Sequence, residues 1–495
     1  MTKLLGRALM IGIALIGVTS CGSKTNIRSV KATDAHDAYY VGDVFDDLNE
    51  ITVIATTNNW DKITISSDEY SYTLYDFSNV VIDTSKPFEA VGNYTLAVSY
   101  KTYDIKAITI SVLGSQQSKE KADYTIMIYM CGSNLESKYN LATANLREIV
   151  SIEYPNNVNV IIETGGANKW SSKYGIRASK LSRYHVENNN LVLDNILNDA
   201  SMGESSTLQS FIEWGLNYYP ANKVGFIFWN HGGGMDGVCY DERHDMDMLT
   251  NAEVHTAFAN AFTSTNTTEK LEWVGYDACL MSVADVAEFN SQYFNYMVSS
   301  QELEPGDGWD YDGWLDNLAE NPQIETETLL QEICDTYIEK CGGDASYNDG
   351  QLSVLDLSNV NSFLSAWESM ASSLTTYINS QHDWYNFTSE IITECHAFGY
   401  DEISDTYCDV FDVQDFIYAM GNSVNYGTID VSSIETALND LVIYNSCGPA
   451  IQGVCGLSFF CGIDGYVYQN SYTSSNTNFT NWHNLNSSYG RSEEH

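Results

Sequence analysis

Two stretches of this chain end in residues that can do chemistry. Val224-Gly225-Phe226-Ile227-Phe228-Trp229 runs into Asn230-His231-Gly232-Gly233-Gly234, and Leu271-Glu272-Trp273-Val274-Gly275-Tyr276 runs into Asp277-Ala278-Cys279-Leu280-Met281-Ser282. An imidazole and a thiol are the minimum equipment of a cysteine nucleophile with its proton carrier. Taken singly, neither residue points there. A Cys at the end of an apolar strand is most often a small buried hydrophobe, and a His in that place is most often a structural hydrogen-bonding group. The pair carries more because both occupy equivalent strand ends. His231 also opens into three glycines, whose backbone can approach a bound carbonyl and offer it an uncovered N–H. Asp277 stands at the mouth of the same crevice, or caps a helix that begins near Leu280.

Both runs are apolar, aromatic and β-branched, the pattern of strands buried on both faces, and the carboxyl ends of parallel strands are where open α/β sheets bind ligands. Further strands are expected at 124–130, 158–163, 296–299, 352–355 and 456–461, with helical periodicity at 135–149, 207–218, 251–262, 283–294, 326–340 and 360–378. This alternation predicts a mostly parallel sheet covered by helices on both faces. Ahead of it, short alternating runs between Tyr39 and Leu113, separated by turn residues, predict a small antiparallel β-sandwich. The piece Gly92-Asn93-Tyr94-Thr95-Leu96-Ala97-Val98 looks like the immunoglobulin-like modules of bacterial surface proteins.

Composition narrows the function classes. The 495 residues exceed one ordinary core, and a 44% hydrophobic fraction with 10 Trp, 34 Tyr and 18 Phe excludes global disorder. With 66 acidic against 23 basic residues the net charge is −43, which disfavours nucleic acid and anionic lipid as partners and favours cationic ones. The 11 Cys form no CxxC pair and, being odd in number and dispersed, do not read as a disulfide framework. His231, Cys239, His244 and His255 crowd together at intervals that match no zinc site.

The first residues are an address. Lys3 and Arg7 precede an apolar run from Ala8 to Val18, and Val18-Thr19-Ser20-Cys21 resembles a bacterial lipoprotein signal in which Cys21 is lipidated. The expected organisation is therefore a signal peptide (1–20), a polar tether (21–38), an Ig-like β-sandwich (39–113), a charged linker (114–123), an α/β domain (124–464) and a polar, loosely packed tail (465–495). The mature protein is expected outside the cell, touching the membrane only through its lipid.

Three blocks in order carry a family resemblance: Asn230 to Gly234, Gly275 to Met281, and Ser299-Ser300-Gln301-Glu302-Leu303-Glu304-Pro305-Gly306-Asp307-Gly308-Trp309-Asp310-Tyr311. Together they resemble the clostripain family of cysteine peptidases, in the caspase-like group, over roughly Tyr124 to Cys461. The resemblance implies a three-layer αβα sandwich and a thiol endopeptidase cutting peptides and proteins after Arg or Lys. It makes His231 and Cys279 the catalytic pair, the N–H groups of Gly232 and Cys279 the oxyanion hole, and Asp277 the acidic residue of the S1 pocket. Asp307 is a candidate second acidic wall, or a turn residue between two glycines. Some members cleave themselves between the His and Cys blocks, where this chain has two basic residues, Arg243 and Lys270. Arg243 lies in the charged segment 240–249, expected to be an exposed loop, and is the expected cut. The chemistry requires no cofactor; calcium occurs in the family and the acidic stretch 236–247 could host it, without EF-hand spacing. A catalytically idle surface lipoprotein that binds basic peptides is the alternative reading, and a solute-binding lipoprotein would leave the His and Cys blocks without a purpose.

Overall fold

The computed structural model describes residues 27–33, 39–45, 51–76, 78–114, 118–342, 349–381, 384–400, 408–462 and 479–489. The signal-peptide stretch and Cys21 lie outside them. The chain divides into two compact units, Met1–Leu113 and Gly114–His495.

In the first unit, β1 (Ile27–Thr33), β3 (Thr52–Thr57) and β4 (Lys62–Ile65) form one sheet. A second contains β2 (Tyr39–Tyr40), β5 (Ser71–Tyr75), β6 (Gly92–Ser99) and β7 (Ile108–Leu113). Alternate residues such as Val53, Ala55, Leu96 and Val98 point into a shared apolar core, as the period of two requires. Ile27–Thr33 was expected to be tether; it is instead a strand paired antiparallel with β3. Its polar composition hid it, because only Val30 on this edge strand is fully buried.

The second unit is built on a nine-stranded mixed sheet. Its strands are β8 (Ala122–Cys131), β9 (Val158–Gly165), β10 (Lys180–Glu187), β11 (Asn190–Asn198), β12 (Ala221–Trp229), β15 (Leu271–Asp277), β16 (Phe294–Ser299), β17 (Gln351–Asp356) and β19 (Val442–Cys447), in the order β11-β10-β9-β8-β12-β15-β16-β17-β19. The hairpin β13 (Val238–Asp241) and β14 (Asp247–Leu249) and the pair β18 (Val410–Asp412) and β20 (Ser458–Phe460) stand apart. The expected strand at 456–461 is therefore real but belongs to the small pair. The five central strands β9, β8, β12, β15 and β16 run parallel. An antiparallel pair closes each side of them.

Successive residues alternate between faces. Tyr124, Ile126, Ile128 and Met130 of β8, with Ile227 and Trp229 of β12, meet helices α2 (Leu141–Ser151), α6 (Tyr311–Glu320) and α7 (Thr326–Gly342). Met127, Tyr129, Phe226 and Phe228 meet α3 (Ser205–Tyr218), α4 (Asn251–Thr265), α5 (Ala284–Asn290) and α8 (Val360–Gln381) on the other face. The result is three layers, helix, sheet, helix.

Two expected helices are shorter or divided. The stretch 135–149 is split into α1 (Ser133–Tyr139) and α2 by Asn140, which adopts a left-handed conformation with φ of 58°. The helix expected at 283–294 ends at Asn290, and Phe294 starts β16. The tail expected to pack loosely contributes the helix Thr480–Tyr489. Its Trp482 is fully buried against Trp367 (ring centroids 5.3 Å apart) and donates to the carbonyl of Phe460 at 2.8 Å.

Candidate active site

Register brings the two strand ends together. β12 and β15 are adjacent and parallel, with Trp229 opposite Asp277, so His231 and Cys279 lie two residues beyond the same level. The Asn230 N–H donates to the Asp277 carbonyl (3.3 Å). The Asn230 side chain ties the loop down, donating to the Cys131 carbonyl at 2.6 Å and accepting from the Tyr240 N–H at 2.7 Å. Glycine at 232 is a steric need: a Cβ there would stand 2.2 Å from the carbonyl oxygen and 3.0 Å from the nitrogen of Cys279. Among the described residues, the Gly232 and Cys279 N–H groups have no backbone acceptor.

Cys279 sits in a turn, not a helix. Leu280 has φ of 65°, a costly conformation for a residue with a side chain, and α5 begins only at Ala284. Two backbone bonds fasten this turn to the segment after β16, from Leu280 N–H to the Glu302 carbonyl (3.2 Å) and from Ser282 N–H to the Ser300 carbonyl (2.8 Å). A third points at the sulfur: the Glu304 N–H donates to Cys279 Sγ at 3.2 Å.

A cavity of about 140 Å³ opens between these ends. It is lined by His231, Asp277, Cys279 and Glu304, with the backbone turn Pro305, Gly306 and Gly308 opposite. Its thiol and imidazole are neutral at rest. Burial pushes the Cys279 thiol up to about 12, against a smaller opposing pull from the Glu304 N–H. Burial also lowers the His231 imidazole below its usual range. His231 Nε2 lies 2.6 Å from Asn134 Oδ1. An amide oxygen can only accept, so Nε2 carries the ring proton and Nδ1 is left free to take one.

Asp277 does not cap a helix. Its Oδ2 accepts from the Tyr311 hydroxyl at 2.9 Å, and burial raises its carboxyl to about 6, opposed by Tyr311 and the Trp309 N–H. Gly308, at φ of 63°, passes so close that a Cβ would lie 2.8 Å and 2.9 Å from the two Asp277 oxygens. Asp307 is elsewhere: it is exposed and is not among the cavity's lining residues. Its carbonyl serves the scaffold, accepting from Asn145 Nδ2 (3.0 Å) and Lys340 Nζ (3.3 Å). The residue that shares the cavity with Asp277 is Glu304. Glu304 was visible in the third sequence block as a carboxylate just past a strand end and before a Pro-Gly turn. Lys340, which also holds Glu148 at 3.1 Å and the Trp309 carbonyl at 2.9 Å, and Asn134 had no local signal. Each is brought in by a neighbouring element.

Arg243 lies on the 3-10 turn Glu242–His244 between β13 and β14. It is half-buried and paired with Asp199 at 2.6 Å, so the exposed loop expected here is an ordered hairpin. Asp241, in the stretch considered for calcium, already accepts from the N–H groups of Met202, Arg243 and His244. Among the described residues no group of three or more His, Cys, Asp or Glu side chains could hold a metal ion, and the ten described cysteines are free thiols.

The fold has solved relatives. A secreted C11 cysteine protease from Bacteroides thetaiotaomicron, "iotapain", superposes with a TM-score of 0.52 at 15% identity, covering 69% of this chain and 94% of that one. An inactive zymogen C11 protease from Parabacteroides distasonis superposes with a TM-score of 0.51 at 17% identity, covering 69% of this chain and 92% of that one. At such identities the likeness is one of fold, the caspase-like αβα sandwich. Clostripain of Hathewaya histolytica is 25% identical over 57% of this chain, and the match spans 61% of that protein's length. The profile of the clostripain family matches residues 128–494, so it takes in both strand ends, the segment after β16 and the C-terminal helix. The chain belongs to the clostripain family.

Proposed function

We propose that this chain is a cysteine endopeptidase that cuts after Arg or Lys. The observation that carries the reading is the shared cavity, in which His231, Cys279 and an acidic side chain converge from adjacent strand ends. Cys279 Sγ attacks the scissile carbonyl and its proton passes to His231 Nδ1, because Nε2 already holds one. The N–H groups of Gly232 and Cys279 take the oxyanion, the largest single contribution in such sites. His231 then protonates the leaving amine, and water hydrolyses the acyl-enzyme. The neutral resting pair supports a thiol that ionises only as the bond forms. Asp277 receives the P1 cation, because a buried carboxylate needs a charged partner to offset its desolvation. No step uses a cofactor, and calcium is a variable of the assay.

The same proposal places the protein outside the cell, anchored through Cys21, with peptides and proteins rather than nucleic acid as partners, in keeping with a net charge of −43. It also has the enzyme cleave itself after Arg243. That requires the Arg243–Asp199 pair to open and the 3-10 turn to unwind, so processing should be slow and should accelerate in Asp199→Ala. Intact mass over time checks this; an active wild type that stays full length refutes it. The activity itself is tested by a fluorogenic panel varying P1, on wild type and Cys279→Ala, with and without calcium. The reading predicts a strong preference for Arg or Lys at P1 and no turnover without the thiol. Binding of basic peptides without turnover would mark the idle lipoprotein instead.

A further inference from the structure

The cavity holds two carboxyls, and they are not equivalent. Asp277 is satisfied by the Tyr311 hydroxyl and the Trp309 N–H. Both side-chain oxygens of Glu304 are buried and no donor among the described residues meets hydrogen-bond geometry with either, while the Asp277 carboxyl, the Trp309 indole and the Ala278 N–H lie beside them. A carboxyl left in that state costs several kcal/mol if ionised, so a pair of oxygens without a well-formed donor, set beside a second carboxyl in a substrate cavity, points to a partner that arrives with the ligand.

We propose that Glu304 is a second specificity-determining acid of this cavity, sharing one proton with Asp277 when the cavity is empty and giving that proton up when a basic side chain enters. The proposal rests on reading the cavity as the receptor for a basic P1 residue. The exchange balances: a cation enters, one proton leaves for solvent, and a pair carrying one negative charge becomes a pair carrying two.

The surroundings assign the proton to Glu304. Burial raises both carboxyls, and Glu304 is raised further by the neighbouring Asp277 charge, to well above the usual carboxylate range. Asp277 has donors and the positive charge of Lys340 to favour its anion; the charge of Glu148, which Lys340 holds, opposes it more weakly. From α7 the pair is faced by Cys334, Tyr337 and Cys341, and Tyr311 stands at the start of α6; burial keeps all four protonated. Cys279 and His231 on the opposite wall are neutral at rest. Two like carboxyls in one apolar site titrate as a unit.

The test compares peptide substrates ending in Arg and in citrulline, its neutral isostere, by kcat/KM from pH 5 to 8.5. For wild type the Arg-to-citrulline ratio rises by about one log unit per pH unit while the empty pocket holds the shared proton, then levels. In Glu304→Gln the slope disappears across the neutral range and the plateau ratio falls at least about tenfold, the loss of one charge-assisted contact. Glu304→Asp, which returns a carboxyl, recovers part of both. Citrulline turnover in each variant reports that the fold and the Cys279 contact survive. Equal loss of both substrates, or an unchanged ratio and slope in Glu304→Gln, overturns the role of Glu304 while leaving Arg cleavage by the wild type intact. A wild type with no preference for the basic substrate sinks the Arg/Lys reading as well.

Discussion

Replacing Gly232 by Ala is a sharp perturbation of the proposed mechanism, because the structure gives its size. The added Cβ would stand 2.2 Å from the Cys279 carbonyl oxygen, a backbone atom that cannot rotate away. Reaching ordinary contact needs the two loops to separate by roughly 1 Å, a displacement able to cost about a hundredfold in rate. The separation also pulls one oxyanion donor from its place, worth about 10²–10³ in kcat, or about 3–4 kcal/mol. Gly232 does not adopt a positive φ, so backbone strain contributes nothing and the whole effect is steric. The expected result is a fall in kcat of at least about a hundredfold with KM nearly unchanged, and a loss of about 1–3 kcal/mol in stability from overpacking. Gly421→Ala is the control: a Cβ there meets nothing within 4 Å, and activity should not change. Steady-state kinetics with thermal melts decides it. A Gly232→Ala enzyme within threefold of wild type refutes the close approach and the donor assigned to it.

Two further outcomes follow from the same geometry. Because burial holds the Cys279 thiol near about 12, alkylation of the resting enzyme by iodoacetamide should climb about tenfold per pH unit between pH 7 and 9, following the thiolate fraction; a plateau below pH 8 contradicts a neutral resting pair. Lys340→Ala removes the cation beside Glu148 and a donor from each of the Asp307 and Trp309 carbonyls, so about 1–3 kcal/mol of stability should be lost and KM for basic substrates should rise more than kcat falls.

The parts legible in the sequence were those with a strong local signal. Apolar runs of five or six residues located the central strands, and their ends located His231, Cys279 and Asp277. What the chain concealed depends on partners distant in sequence. β10 and β11 are polar enough to pass for loop, and pairing with each other across the Asn188-Asn189 turn and of β10 with β9 makes them strands. Trp482 lies in an Asn-rich stretch that reads as tail and becomes core because Trp367 and Phe459 meet it. In the third block Asp307 is exposed and outside the cavity lining, whereas Glu304 lines the cavity with Asp277; which of two nearby acids faces inward depends on how the turn folds.

The role proposed for Cys279 is that of a nucleophile served by an acidic pocket. Its most direct test is labelling by a peptidyl acyloxymethyl ketone ending in Arg or Lys, read by mass spectrometry of the modified peptide. A single adduct on Cys279 is expected, blocked in His231→Ala and suppressed when the P1 residue is neutral. An enzyme whose Cys279 reacts with iodoacetamide but ignores the ketone, or takes neutral and basic ketones alike, contradicts it.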